Sequence, residues 1–316
     1  MTFIRTVLGD IAPDALGRCY AHEHLIIDRS YTTQLFPDIH LPSVENAVRE
    51  LVDFKAAGGG AMIDCMPCDA GRNVEKLAEI SRQSGVHLVA PTGLHRVRFY
   101  PEGHWRFTAG PERLADLFVE EIERGIDAND CAGPDVRRSA SRAGVLKIAS
   151  DGAELDAAER VAFEAVAAAH RRTGCPVITH CETARGAEQV AFLAARGVEP
   201  RHVVLSHTDR HPDPAYHREL LRTGAFVEYD RAFRAKLDDS NPTLTLFAAM
   251  VKEFPGQVML GTDGARQSYW RSYGGAPGLD YLLKEFSDRA RRMGVTDGEL
   301  RQVFVENPAR AYAFSR

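Results

Sequence analysis

The stretch CPVITHCETARGAEQVAFLAARGVEPRHVVLSH, Cys175 to His207, holds one complete unit of a repeating pattern. Two short apolar, β-branched runs, CPVITH at 175–180 and HVVLSH at 202–207, flank the helical pattern GAEQVAFLAARG. Runs of this length bounded by turn residues read as buried strands, and the 3.6-residue periodicity between them reads as an amphipathic helix. The glycine closing the helical pattern is a C-terminal stop signal. Strand, helix, strand in that order requires two parallel strands. Each of these strands closes on a histidine, His180 and His207.

The same unit recurs outward in both directions. Further strand-like runs are RCYAH near 18–22, GAMIDC at 60–65, VHLVAPTG at 86–93, GVLKIAS at 144–150, AFVEYD at 225–230 and QVMLGTD at 257–263. Helical patterns such as SVENAVRELVDFKAAG, NVEKLAEISRQSG, ERLADLFVEEIERGI and DAAERVAFEAVAAAHRRTG fill the gaps. Eight strands alternating with helices in a 316-residue chain predict an α/β fold, a (β/α)8 TIM barrel. No low-complexity or linker-like stretch divides it, so one domain over 1–316 is expected. TFIRTVLGDIAPDALG, with Gly-Asp between short apolar runs, predicts an N-terminal β-hairpin capping the barrel. The stretch 94–143 is the least regular, and GLHRVRFYPEGHWRFTAGP reads as a loop over the barrel mouth.

Composition excludes several functions. A formal charge of −5 gives no footing for nucleic acid or an anionic membrane surface. No apolar run approaches the ~18 residues of a membrane span. The start, MTFIRTVLGDIAPD, lacks a signal peptide's basic and long apolar regions, which reads as cytoplasmic. The cysteines, at 19, 65, 68, 131, 175 and 181, are dispersed and expected to be reduced. Cys65 and Cys68 form a C-x-x-C, but no second pair exists for zinc and the motif ends a strand instead of opening a helix. It is read as structural.

Polar residues at the strand ends carry the chemistry. His22 and His24 lie at the end of the first strand, Lys147 is in GVLKIAS, His180 and His207 close the next two, and Asp263 closes QVMLGTD. In a barrel, the C-terminal strand ends converge on one mouth. Singly, a strand-terminal His or an Asp before Gly is more often structural. Together, imidazoles and a carboxylate suit zinc, manganese or iron, whereas calcium and magnesium prefer oxygen alone. Lys147 inside an apolar run is costly as an unpaired ammonium. As a neutral amine it reacts with carbon dioxide, and the carbamate formed is an anion able to bridge two metals.

These stretches, with DCMPCDAGRN after strand two and the closing VENPARAYAF, resemble the phosphotriesterase-like branch of the amidohydrolase superfamily over nearly the whole chain. The resemblance implies a binuclear site, with zinc expected and manganese, cobalt or iron as alternatives. His22, His24 and Asp263 hold the more buried metal in that scheme, and His180 and His207 the more exposed one. Lys147, carboxylated on its amine, bridges both together with a hydroxide, and Asp263 accepts the proton. The reaction class is hydrolysis.

Loops after the later strands are rich in cations: Arg185, Arg210, Arg231, Arg234, Lys236, Arg266 and Arg271, with Tyr269 and Tyr273. In a net acidic chain, basic residues gathered on one face invite an anion. The R-x-x-Y spacing of Arg266 and Tyr269 resembles relatives acting on phosphorylated sugar lactones. The expected substrate is therefore an anionic, phosphorylated or carboxylated lactone, bound by Arg266, Tyr269, Arg231 and Arg234. The alternative within the class is a neutral organophosphate triester. The alternative of another class is a metal-containing binding protein without catalysis, which loss of a ligand would favour, and no ligand is missing. No nucleic-acid or membrane partner is expected, and a homodimer is the assembly to test.

Overall fold

The structure, a computed structural model, describes residues 2–152, 154–181 and 183–315. It opens with an antiparallel hairpin, β1 (Ile4–Thr6) and β2 (Gly9–Ile11). Eight parallel staves then form a (β/α)8 barrel: β3 (Arg18–Glu23), β4 (Gly59–Asp64), β5 (His87–Val89) continued by β6 (Pro91–Gly93), β7 (Val145–Ser150), β8 (Val177–Cys181), β9 (Val203–Ser206), β10 (Phe226–Tyr229) and β11 (Val258–Leu260). Ladders run β3-β4-β5 and β6-β7-β8-β9-β10-β11. The ring closes where Thr262 and Asp263 donate their backbone N–H groups to the His22 carbonyl, both at 3.2 Å. The run at 86–93, expected as one strand, is two short segments. Pro91 has no N–H to give a ladder, and the break falls immediately before it.

The expected helices form, with caps that explain their limits. Asp156 and Glu159 make a reciprocal capping box at the start of Ala157–Thr173, and Gly174 ends that helix in the left-handed region at φ 71°. Gly85 does the same for Val74–Ser84. Among the described residues no helix is long and apolar enough to cross a membrane.

Side-chain alternation divides the core in two. Cys19, Ala21, Ala61, Ile63, Val89, Val145, Ile178, Val204, Phe226 and Met259 fill the barrel interior, joined by Ile4 of the hairpin. The outward faces pack beneath the helices with residues such as Leu77, Phe118, Phe163 and Phe247. Counting by twos from the interior residues decides which polar groups reach the mouth from inside. From Val145 the count reaches Lys147, from Ile178 His180, from Phe226 Glu228 and Asp230, and from Met259 Asp263. His22, His24 and His207 are out of phase and need a local departure. At β3 it is a register slip against β4 between Tyr20 and Glu23. At β9 it is His207 itself, whose φ of 60° turns the chain.

Candidate active site

His22, His24, Lys147, His180, His207 and Asp263 all converge, as expected, and all are buried. The His22 and His24 rings are 5.4 Å apart, His22 and His207 4.7 Å, and His180 and His207 4.3 Å. Asp263 Oδ1 lies 3.3 Å from His24 Nε2 and 3.9 Å from His22 Nε2. Donor atoms of His22, His24 and Asp263 lie within 4.8 Å of one another, as do those of His22, His207 and Asp230. Asp263 has φ 42°, a strained setting for a residue with a Cβ and one that clusters at functional sites. Glu23 holds it there from both sides, its carboxylate accepting the backbone N–H of Thr262 at 2.8 Å and of Gly264 at 3.2 Å. Burial raises the Glu23 carboxyl to about 8 against these hydrogen bonds.

The electrostatics suit cations. Burial, with Lys147 and His207 adding to it, holds the His22 imidazole well below its usual range. Burial and the His207 and His95 rings do the same to His180. Such rings are neutral at pH 7, the form that ligates metal. Burial alone would raise Asp263, but Arg234, His24, His207 and His22 outweigh it and keep the carboxyl well below the usual carboxylate range. Lys147 Nζ and His24 Nδ1 are buried without a hydrogen-bond partner among the described residues. A buried amine with no acceptor, beside imidazoles and an ionised carboxylate, fits a site completed by a bridging group and cations.

A cavity of about 330 Å³ opens above the ring, walled in part by Phe36, Met66, His95, Arg96, Phe99, Arg210, Arg234 and Arg266. Of the four expected substrate residues, Arg234 and Arg266 line it directly. Arg234 is ion-paired to Asp263, and half-exposed Arg266 lies 3.2 Å from Asp38. Tyr269 stands behind the wall, its ring 5.3 Å from Phe233 and its face 5.8 Å from the Arg234 guanidinium. Half-buried Arg231 is also set back. Burial and then the neighbouring Arg210 and Arg234 lower its pKa, and among the described residues it makes no ion pair. Of the remaining loop cations, Arg185 pairs with Glu188, and Arg271 with Asp280 at 2.8 Å.

Two residues in the site were missed from sequence. Asp230, wholly buried, accepts the His207 backbone N–H at 3.1 Å and lies 2.7 Å from His207 Nδ1. Its signal was its place at the end of AFVEYD, in phase with Phe226. His95 follows the β6 strand, its ring 5.5 Å from His180. The Arg96 N–H donates to His95 Nδ1 at 2.7 Å, so the proton of the neutral ring is on Nε2.

A barrel with this ring at its C-terminal mouth has the form of a hydrolytic metal-site enzyme. The chain belongs to the phosphotriesterase family, whose model matches residues 2–312, and it is a hydrolase. It is 29% identical to a phospho-furanose lactonase of Mycoplasmopsis agalactiae, covering 99% of this chain and 92% of the relative. It is 30% identical to the phosphotriesterase homology protein of Escherichia coli, covering 95% and 99%. Among solved structures it is similar to a lactonase from Listeria monocytogenes, with a TM-score of 0.90, 29% identity and coverage of 99% and 100%.

Proposed function

We propose that the protein, a single domain over 1–316, is a lactonase acting on a small anionic lactone. The observation that carries the substrate class is the group Arg210, Arg234 and Arg266 lining the cavity, with Arg231 behind it. Burial first, and then Arg210 and Arg234, lower the Arg231 pKa, and an anion nearby offsets the repulsion among the three. The relatives named as phospho-furanose lactonases support the same choice, as does the solved E. coli relative with phosphate in its active site.

In this reading His22, His24 and Asp263 would hold one divalent ion and His180 and His207 a second, with Lys147, as its carbamate, a further anionic ligand. Divalent ions so bound supply a water of lowered pKa and a Lewis acid for the lactone carbonyl. The protein does the rest. Asp263 takes a proton at its carboxylate and returns it to the leaving alkoxide. Arg234 holds that carboxylate ionised. Arg266 fixes the remote anion through paired N–H donors, with Arg231 adding positive charge from behind the wall and Tyr269 behind Arg234 as a neutral support. His95 Nε2–H stands ready as a donor on the wall facing His180. Phe36, Phe99 and Met66 give the lactone ring an apolar seat.

The test is a panel of γ- and δ-lactones with and without a phosphate or carboxylate remote from the ring. Higher kcat/KM for the anionic members supports the reading. Equal turnover of neutral lactones, or a preference for neutral phosphotriesters, overturns it.

A further inference from the structure

The C-x-x-C motif does not act as a pair. Cys65 packs into the barrel interior with Cys19 and Ile63, whereas Cys68 faces the other way, toward Glu121. There it meets Cys131, distant in sequence. The Cys68 thiol donates to Glu121 Oε2 at 3.4 Å and the Cys131 thiol to Oε1 at 3.6 Å. The two sulfurs and a Glu121 oxygen all lie within 4.8 Å of one another. The Asp69 N–H donates to the Asp130 carbonyl at 3.0 Å, which locks the two segments together immediately beside both cysteines.

We infer that Cys68 and Cys131 form a reversible dithiol–disulfide site, oxidised by a hydroperoxide. The same three side chains are a poor cation site, because Arg72 already occupies both Glu121 oxygens at 2.8 and 2.9 Å. That pairing is what suits them to oxidation. When both thiol protons leave, Glu121 keeps the guanidinium and the Asp127 N–H at 3.0 Å, so no buried carboxylate is stranded. Access is one-sided. Cys68 is buried, while half-buried Cys131 lines a surface cavity of about 480 Å³ with Trp105, Leu114 and Val136.

The order of events follows. The Cys131 sulfur takes oxygen from the hydroperoxide, giving a sulfenic acid and releasing the alcohol or water. Cys68 sulfur then attacks the Cys131 sulfur as Glu121 Oε2 accepts the Cys68 proton. The S–O bond breaks, and hydroxide leaves as water by taking that proton. Two electrons pass from the thiols to the peroxide. The hydrogen bond to Cys68 first, and burial second, push the Cys131 thiol up, so the first step is slow and needs excess peroxide. The site reaches the mouth through Tyr100, whose hydroxyl donates to the Cys68 carbonyl at 3.0 Å and accepts the His95 N–H at 2.8 Å.

The experiment treats the wild-type protein with excess hydrogen peroxide over hours, quenches with an alkylating agent and maps peptides without reduction. The expected result is a mass loss of about 2 Da, a cross-link between the Cys68 and Cys131 peptides, and its reversal by a phosphine reductant. In Cys68→Ala, Cys131 should stop at the sulfenic acid and be captured by dimedone. A Cys65–Cys68 link, oxidation of Cys131 with Cys68 left as a free thiol, or no reaction at either cysteine overturns the inference.

Discussion

Arg234 donates one guanidinium nitrogen to both the side chain and the backbone carbonyl of Asp263, the latter at 3.3 Å. The residue proposed to move the proton is therefore held ionised by a neighbour from the preceding strand's loop. Asp263→Asn keeps an oxygen toward His24 but cannot accept a proton. Turnover should fall by roughly 10²–10⁴-fold, the span of a lost general base, with bound metal largely retained. An unchanged rate with metal in place would remove Asp263 from proton transfer.

Lys147 Nζ has no acceptor among the described residues in its buried position. Lys147→Ala should lose metal and activity together, and short carboxylic acids should restore part of both by filling the gap. Lys147→Arg cannot form a carbamate and should be as inactive as the alanine variant. Wild-type turnover in Lys147→Arg would exclude the bridging role.

Asp230 tests the part of the site that the sequence hid. Its carboxylate fixes both the backbone and the ring of His207, and removing such support costs metal sites about 10- to 100-fold in affinity. Asp230→Ala should show that weakening in a competitive chelator titration, while Asp230→Asn, able to accept the His207 N–H, should lose less. Equal affinity in all three proteins would make Asp230 a bystander.

What could be read beforehand follows from phase along the strands. Lys147, His180 and Asp263 fall on the inward face by simple alternation, so apolar runs ending in polar residues were enough to find them. His22, His24 and His207 reach the site only through a register slip and a left-handed residue, which alternation does not reveal; they were picked out because each lies at the end of a strand-like run, and the family resemblance supplied their ligand roles. Asp230 was in phase but carried no motif. His95 lies in the stretch after β6, where neither periodicity operates, and its placement depends on Tyr100 and Arg96 hydrogen bonds. The arginine loops were legible as charge but not as geometry. Tyr269 and Arg231 stand back from the cavity wall that Arg234 and Arg266 form.

That distinction sets the specificity prediction. Arg266→Ala should reduce the preference for an anionic over a neutral lactone by roughly 10- to 200-fold, from a lost charge-assisted hydrogen bond of about 1.5–3 kcal/mol, and Arg231→Ala should reduce it less, because Arg231 stands behind the cavity wall. Tyr269→Phe should reduce it less, because Tyr269 acts through Arg234. Parallel loss on neutral and anionic substrates would point to general damage and not to an anion subsite.

The ring of His22, His24, Lys147, His180, His207 and Asp263 is proposed as a two-metal hydrolytic centre. Elemental analysis of protein purified without chelators, paired with lactone turnover before and after metal stripping, tests it most directly. The expected result is about two divalent ions per chain, loss of turnover on stripping and recovery when zinc, manganese or cobalt is returned. Full turnover by metal-free protein would contradict it.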